Sequence, residues 1–95
     1  MAASCGFLTI ELHFPEAQTL KDKRQVLQSL LCRLAARLHV AVAETDHNDL
    51  HQRAEIAVAC VSNGVDHCHE ILDKALALVE IEPRAEVLRV EREVS

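Results

Sequence analysis

Residues 5–38 read CGFLTIELHFPEAQTLKDKRQVLQSLLCRLAARL, and the hydrophobic period changes inside them. From Cys5 to Phe14, Leu8, Ile10, Leu12 and Phe14 alternate with Phe7, Thr9, Glu11 and His13. A period of two with one strongly apolar side predicts a half-buried strand, and Pro15 ends it. From Leu20 to Leu38 the period is helical. Leu20, Leu27, Leu31, Leu34 and Leu38 share one face, and Thr19 with Asp22 three residues later makes a capping box at its start.

The rest of the chain repeats the theme. Residues 40–45 predict a second strand, followed by the polar connection Asp46-His47-Asn48-Asp49-Leu50-His51. Residues 52–62 predict a third strand. Ile56, Val58 and Cys60 lie on one side and Ala57, Ala59 and Val61 on the other, so it reads as central in its sheet. Ser62-Asn63-Gly64 is a turn, with Asn63 expected as the N-cap of a helix over 65–79. The helix buries Cys68, Ile71, Leu72, Ala75, Leu76 and Val79, and Glu80-Ile81-Glu82-Pro83 ends it. A last strand over 86–94 alternates Leu88, Val90 and Val94 with Arg89, Glu91 and Glu93. The order βαββαβ, with right-handed crossovers, predicts a single ferredoxin-like α+β domain over 1–95: a four-stranded antiparallel sheet with two helices on one face. That fold serves many unrelated functions and assigns none.

Composition narrows the classes. At 95 residues there is no room for a two-domain cleft or a full doubly wound sheet, and 49% hydrophobic residues argue against wholesale disorder. The longest apolar run is too short for a bilayer, and no basic-then-apolar leader is visible, so a cytoplasmic protein with no membrane partner is expected. Cys5, Cys32, Cys60 and Cys68 include no C-x-x-C pair. They read as small buried or half-buried apolar residues of a reducing compartment.

Charge is uneven. The chain carries −5 overall, yet residues 19–39 hold five Lys/Arg against one acid, +4, which leaves −9 elsewhere. Lys21, Lys23 and Arg24 sit at the start of the first helix, where the helix dipole disfavours cations by about 0.3–1 kcal/mol each. Topology brings His13, this helix start and the segment from Asp46 to Arg53 to one end of the sheet. One reading is an anion site in which Lys21, Lys23, Arg24 and Arg53 hold a phosphate or RNA backbone, while His13, Asp46, His47, Asp49 and His51 shape it. The other is that these cations pair with Asp46 and Asp49.

Other chemistry finds less support. The 46–51 loop with Glu44 has ligand types suited to zinc or manganese, but hairpin loops use the same residues to satisfy turns, and no metal is assigned. His67 and His69 diverge around a helix while Cys68 points inward. A histidine beside a carboxylate suits acid–base work, but no Ser or Cys nucleophile is placed beside it. A phosphate-ester hydrolase of acylphosphatase type needs a Gly-rich loop with an Arg after the first strand, and Pro15-Glu16-Ala17-Gln18 has neither. The sheet face away from the helices has Phe7 as its one aromatic, which disfavours base stacking; its Ala57-Ala59-Val61 strip suits a homodimer.

The stretches Thr19-Leu20-Lys21-Asp22-Lys23-Arg24, Ala43 to Ala54, and Val61-Ser62-Asn63 resemble signature segments of the YlxP-like bacterial family, in the same order and spacing over nearly the whole chain. Thr19 stands where that family has serine, and His51 where it usually has tryptophan or another large apolar residue. The resemblance implies a small ferredoxin-like domain of unknown biochemical function. Genes of the family often lie among those for translation initiation and ribosome maturation, which implies a ribosome- or RNA-linked role. The expectation is therefore a non-enzymatic accessory protein without cofactor. Its partner would be ribosomal RNA or an assembly intermediate, or a second copy across the open sheet face.

Overall fold

The computed structural model describes residues 3–95. Strands β1 (Ser4–His13), β2 (Ala41–Asp46), β3 (Arg53–Ser62) and β4 (Glu86–Val94) alternate with helices α1 (Leu20–Leu38) and α2 (Val65–Glu80). The sheet order is β2-β3-β1-β4, with every neighbouring pair antiparallel. This is the ferredoxin-like arrangement, and β3 is central as its two apolar sides require. No helix among the described residues is long and apolar enough to cross a membrane.

One face of the sheet lies under the helices. Leu8, Ile10, Leu12, Ile56 and Val58 point into that layer and are fully buried. They meet Leu27, Leu30 and Leu34 of α1 and Cys68, Leu72, Ala75, Leu78 and Val79 of α2. The α1 stripe is rotated from the expected one: Leu20 is exposed, Leu31 and Leu38 are partly buried, and Leu30 takes the central place. In α2, Ile71 and Leu76 likewise sit at the margin of the core rather than inside it.

The capping box of α1 is present, with Asp22 N–H donating to Thr19 Oγ1 at 3.1 Å and Thr19 N–H to Asp22 Oδ2 at 3.2 Å. The N-cap of α2 is Gly64, not Asn63, and it makes no side-chain cap bond. The helix begins one residue later than Asn63 would start it. The Ser62 hydroxyl takes the local role, accepting from Gly64 N–H at 3.4 Å.

β4 departs from simple alternation. Glu11 pairs with Arg89 but Leu12 pairs with Val87, so Leu88 is an extra residue. Val87 therefore takes the inward position, and Leu88 is turned out and exposed.

The cysteines divide. Cys60 and Cys68 are buried as expected, whereas Cys5 and Cys32 are exposed. Gly6 is what allows α2 to approach β1 here. A Cβ on Gly6 would lie 2.8 Å from Cys60 Sγ, 3.0 Å from Leu72 Cδ1 and 3.3 Å from Cys68 Cβ. Gly6→Val is expected to cost about 1–3 kcal/mol by overpacking. A thermal melt checks this, and an unchanged Tm would show that the layers can part at no cost.

Candidate functional site

Topology does bring the predicted segments to one end of the sheet. His13 pairs with Arg53 across β1 and β3, and Phe14 N–H continues the ladder to Gln52 O at 2.9 Å. Gln52 Nε2 donates to Ala17 O at 3.1 Å and ties the β1–α1 loop to the β2–β3 connection. The helix start, His13 and residues 46–53 are neighbours.

The cations at this end do not converge. Lys23 is fully buried. Its ammonium donates to Glu44 Oε2 at 3.0 Å, His47 O at 2.9 Å and Arg53 O at 3.1 Å, with Asn48 O at 3.5 Å. Every donor is turned inward, so no phosphate reaches it. The expected partners Asp46 and Asp49 are not the ones used; Glu44, two places before Asp46, supplies the carboxylate. Lys23 thus pins the β2–β3 connection to α1. It also holds His47 in the left-handed region, at φ 62°, by taking its carbonyl. Asp46 Oδ1 accepts the His47 N–H at 2.8 Å.

Burial of Lys23 had a signal in the chain. Lys23, Leu27, Leu30 and Leu34 recur at spacings of four, three and four, the phase of the stripe that is actually buried. A lysine in that phase must either snorkel or find acceptors.

Arg53 faces the other way. It lies opposite His13 on the open side of the sheet, and its guanidinium binds Glu11. His47 Nε2 stands 3.3 Å from the same carboxylate. The hydrogen bond from Arg53 holds the Glu11 carboxyl below the usual carboxylate range, against the opposing effect of burial, and His47 adds to the lowering. A carboxylate so held is a weak base. His13 Nδ1 lies 3.5 Å from Glu86 Oε2 on the neighbouring strand. Asp46, Asp49 and His51 are exposed at the rim. His67 and His69 go to separate partners: His67 Nδ1 and the Ser62 hydroxyl are 2.7 Å apart, and His69 Nδ1 is 3.1 Å from Arg92.

Lys21 and Arg24 remain on the exposed flank of α1. Six of the chain's ten cations are ion-paired: Lys23, Arg33, Arg53, Arg84, Arg89 and Arg92. Among the described residues no carboxylate pairs with the other four, Lys21, Arg24, Arg37 and Lys74. Three of these lie on α1.

Beside the helix start, Phe14, Glu16, Ala17, Asp22, Gln25, Val26 and Arg84 line an open cleft of about 210 Å³. Two carboxylates in its wall oppose an anion there. Asp22 is held ionised, chiefly by the Gln18 backbone N–H, which donates to it at 3.0 Å.

A second polar cluster escaped sequence reasoning. Glu82 is buried where α2 turns into β4. It receives Arg33 Nη2 at 2.8 Å, Arg84 Nη2 at 2.8 Å and the Arg84 backbone N–H at 3.1 Å. The Arg84 hydrogen bond, with Arg33 adding, lowers its carboxyl to about 2 despite burial. Arg33 is therefore committed to the fold rather than to a ligand.

Residues 5–92 match the family described as "Protein of unknown function (DUF503)". The chain is 31% identical to the uncharacterized protein YlxP of Bacillus subtilis (strain 168) over 81 residues, which cover 85% of this chain and 88% of that protein. Among solved structures, the de novo designed protein Foldit4 superposes with TM-score 0.57 at 12% identity, covering 99% of this chain and 97% of that one. A second designed protein, LFR1 1 with ferredoxin fold, superposes with TM-score 0.52 at 10% identity, covering 95% and 83%. These two likenesses concern the fold alone.

Proposed function

The chain belongs to the DUF503 family of proteins of unknown function, and on that premise we propose that it is a non-enzymatic cytoplasmic accessory protein. It holds the phosphate backbone of a structured RNA, ribosomal RNA or an assembly intermediate, against the start of α1. Lys21 and Arg24 make the contact. Lys23, expected to share it, instead fixes the loop behind it, and Arg53, also expected there, pairs with Glu11 on the open sheet face.

The observation that carries this reading is the concentration of unpaired cations on α1 in a chain whose net charge is −5. Cations at a helix N-terminus oppose the dipole, yet here two stand exposed outside any ion pair, and Asp22 beside Lys21 offsets only part of their charge. A phosphate would meet these two side chains on the exposed flank of the helix rather than its capped end. With a negative chain behind it, the contact must be local.

The test is co-sedimentation with ribosomal subunits, comparing the wild type with Lys21→Glu/Arg24→Glu. Lys23 stays intact, because its removal disturbs the fold. Association with one subunit is expected, weakening about tenfold between about 50 and 200 mM salt if two phosphates are engaged. The variant should lose it. Equal association of the variant, or none by either protein, overturns the reading.

A further inference from the structure

The open face of the sheet is divided between apolar and acidic surface. Phe7 is 49% exposed and Val61 70% exposed, and Ala57 and Ala59 continue their strip along β3. Beside the strip, Phe7, Thr9, Glu91 and Glu93 line a hollow of about 130 Å³. A smaller one of about 50 Å³ follows, lined by Thr9, Glu11, Glu55, Arg89 and Glu91. The hollows share Thr9 and Glu91, so they are adjacent along β1 and β4.

We propose that this face docks a basic segment of a protein partner, with apolar residues on the Phe7–Val61 strip and a Lys or Arg side chain in the larger hollow. Charge selects the occupant. Both arginines of the face are already bound within the chain, Arg53 to Glu11 and Arg89 to Glu91. Among the described residues Glu93 and Glu55 have no cation partner, Glu55 receiving the Thr45 hydroxyl at 2.9 Å. A second copy would bring the same glutamates and the same committed arginines, so the acids would meet no cation. A nucleic acid would bring phosphates to carboxylates, and Phe7 alone could stack. A partner with lysine or arginine beside apolar residues fits both parts of the surface.

Geometry sets the spacing. The larger hollow holds about four waters at about 30 Å³ each, the scale of one head group. Its wall offers the Phe7 ring to a cation and two carboxylates to its N–H groups. Same-side residues of an extended chain repeat every ~6.8 Å, as do Phe7, Thr9 and Glu11 along β1. Residues i and i+2 of an extended partner therefore face the sheet together, one into the larger hollow and the next onto the apolar strip, while the residue between them faces away.

The probe is a fluorescein-labelled peptide in which Arg and Val take turns at every second position with Ser between them, so that both face the sheet, with a control of equal length in which Glu replaces Arg. Fluorescence anisotropy reads binding to the full-length protein, and sedimentation velocity reads its oligomeric state. The Arg/Val peptide is expected to bind and the control not. Glu91→Gln/Glu93→Gln and, separately, Phe7→Ala should each weaken binding about tenfold. All three positions are exposed, and circular dichroism confirms folding. Lys21→Glu/Arg24→Glu should bind the peptide as the wild type does, so failure of the RNA site and failure of this face are distinguishable. Binding that ignores the glutamate and phenylalanine changes overturns the proposal. So does a self-associated protein that dissociates in Phe7→Ala and takes no peptide, which would assign the face to a second copy.

Discussion

Lys23→Met is expected to remove about 3–5 kcal/mol of stability. The methionine fills a similar volume but leaves the Glu44 carboxylate, 13% exposed, without its cation. It also leaves the carbonyls of His47 and Arg53 without a donor. A domain of this size has about 5–15 kcal/mol in total, so the loss is a large share. At about 4–8 °C per kcal/mol, Tm should fall by at least about 12 °C. The fault should begin locally: amides of residues 47–50 should exchange fast in the variant before global unfolding. Lys23→Met/Glu44→Leu should be less damaged than the sum of its single changes, because the stranded carboxylate is gone. Chemical denaturation checks all three proteins. A loss below about 1 kcal/mol for Lys23→Met would mean that water replaces the ammonium freely.

The second large effect lies at Glu82. Glu82→Gln keeps the shape but removes the charge that gathers Arg33 and Arg84, and is expected to cost about 2 kcal/mol at neutral pH. The partners are partly exposed, at 32% and 49% of their side chains, so solvent screens part of the interaction. The pH dependence separates charge from shape. The carboxyl lies at about 2 in the folded chain against 4.5 ordinarily. Its contribution is therefore fully present above about pH 4.5 and is lost as pH falls through about 2. The stability of the wild type should converge toward that of Glu82→Gln over this window. Glu11 and Asp22 are also held low and act in both proteins, so the difference between the two curves isolates Glu82. Parallel curves from pH 7 to 2 would show that Glu82 titrates alike in the folded and unfolded chain, so that its charge adds nothing to the fold.

These two residues mark where local pattern stops informing. The strand period over residues 5–14, the helical period over 20–38 and the Thr19/Asp22 cap are short-range facts. Steric and capping chemistry within a few residues imposes them, and they carried through to β1, α1 and the topology. The two apolar sides of β3 gave its central place for the same reason. Lys23 finds its carboxylate 21 residues away, and Glu82, with Arg84 two residues on, finds its second arginine 49 residues away. Nothing in the local sequence distinguishes a lysine that will meet three carbonyl oxygens from one that will face water, save its phase with Leu27 and Leu30.

The candidate site was legible as a place but not as an arrangement. Helix–strand connectivity fixed that His13, the start of α1 and residues 46–53 share one end. Tertiary packing then sorted the cations: Lys23 into the core, Arg53 onto the open face with Glu11, and Lys21 and Arg24 outward. The β4 bulge at Leu88 is marked in the sequence only by the adjacent apolar pair Val87-Leu88, which does not say which of the two faces inward, because register is decided by the partner strand. By itself the sequence determined the order and topology of the elements, since periodicity and capping act over one or two turns. Which charges remain free to bind was decided only in the tertiary structure, since a buried ion takes whatever oppositely charged group the fold carries to it.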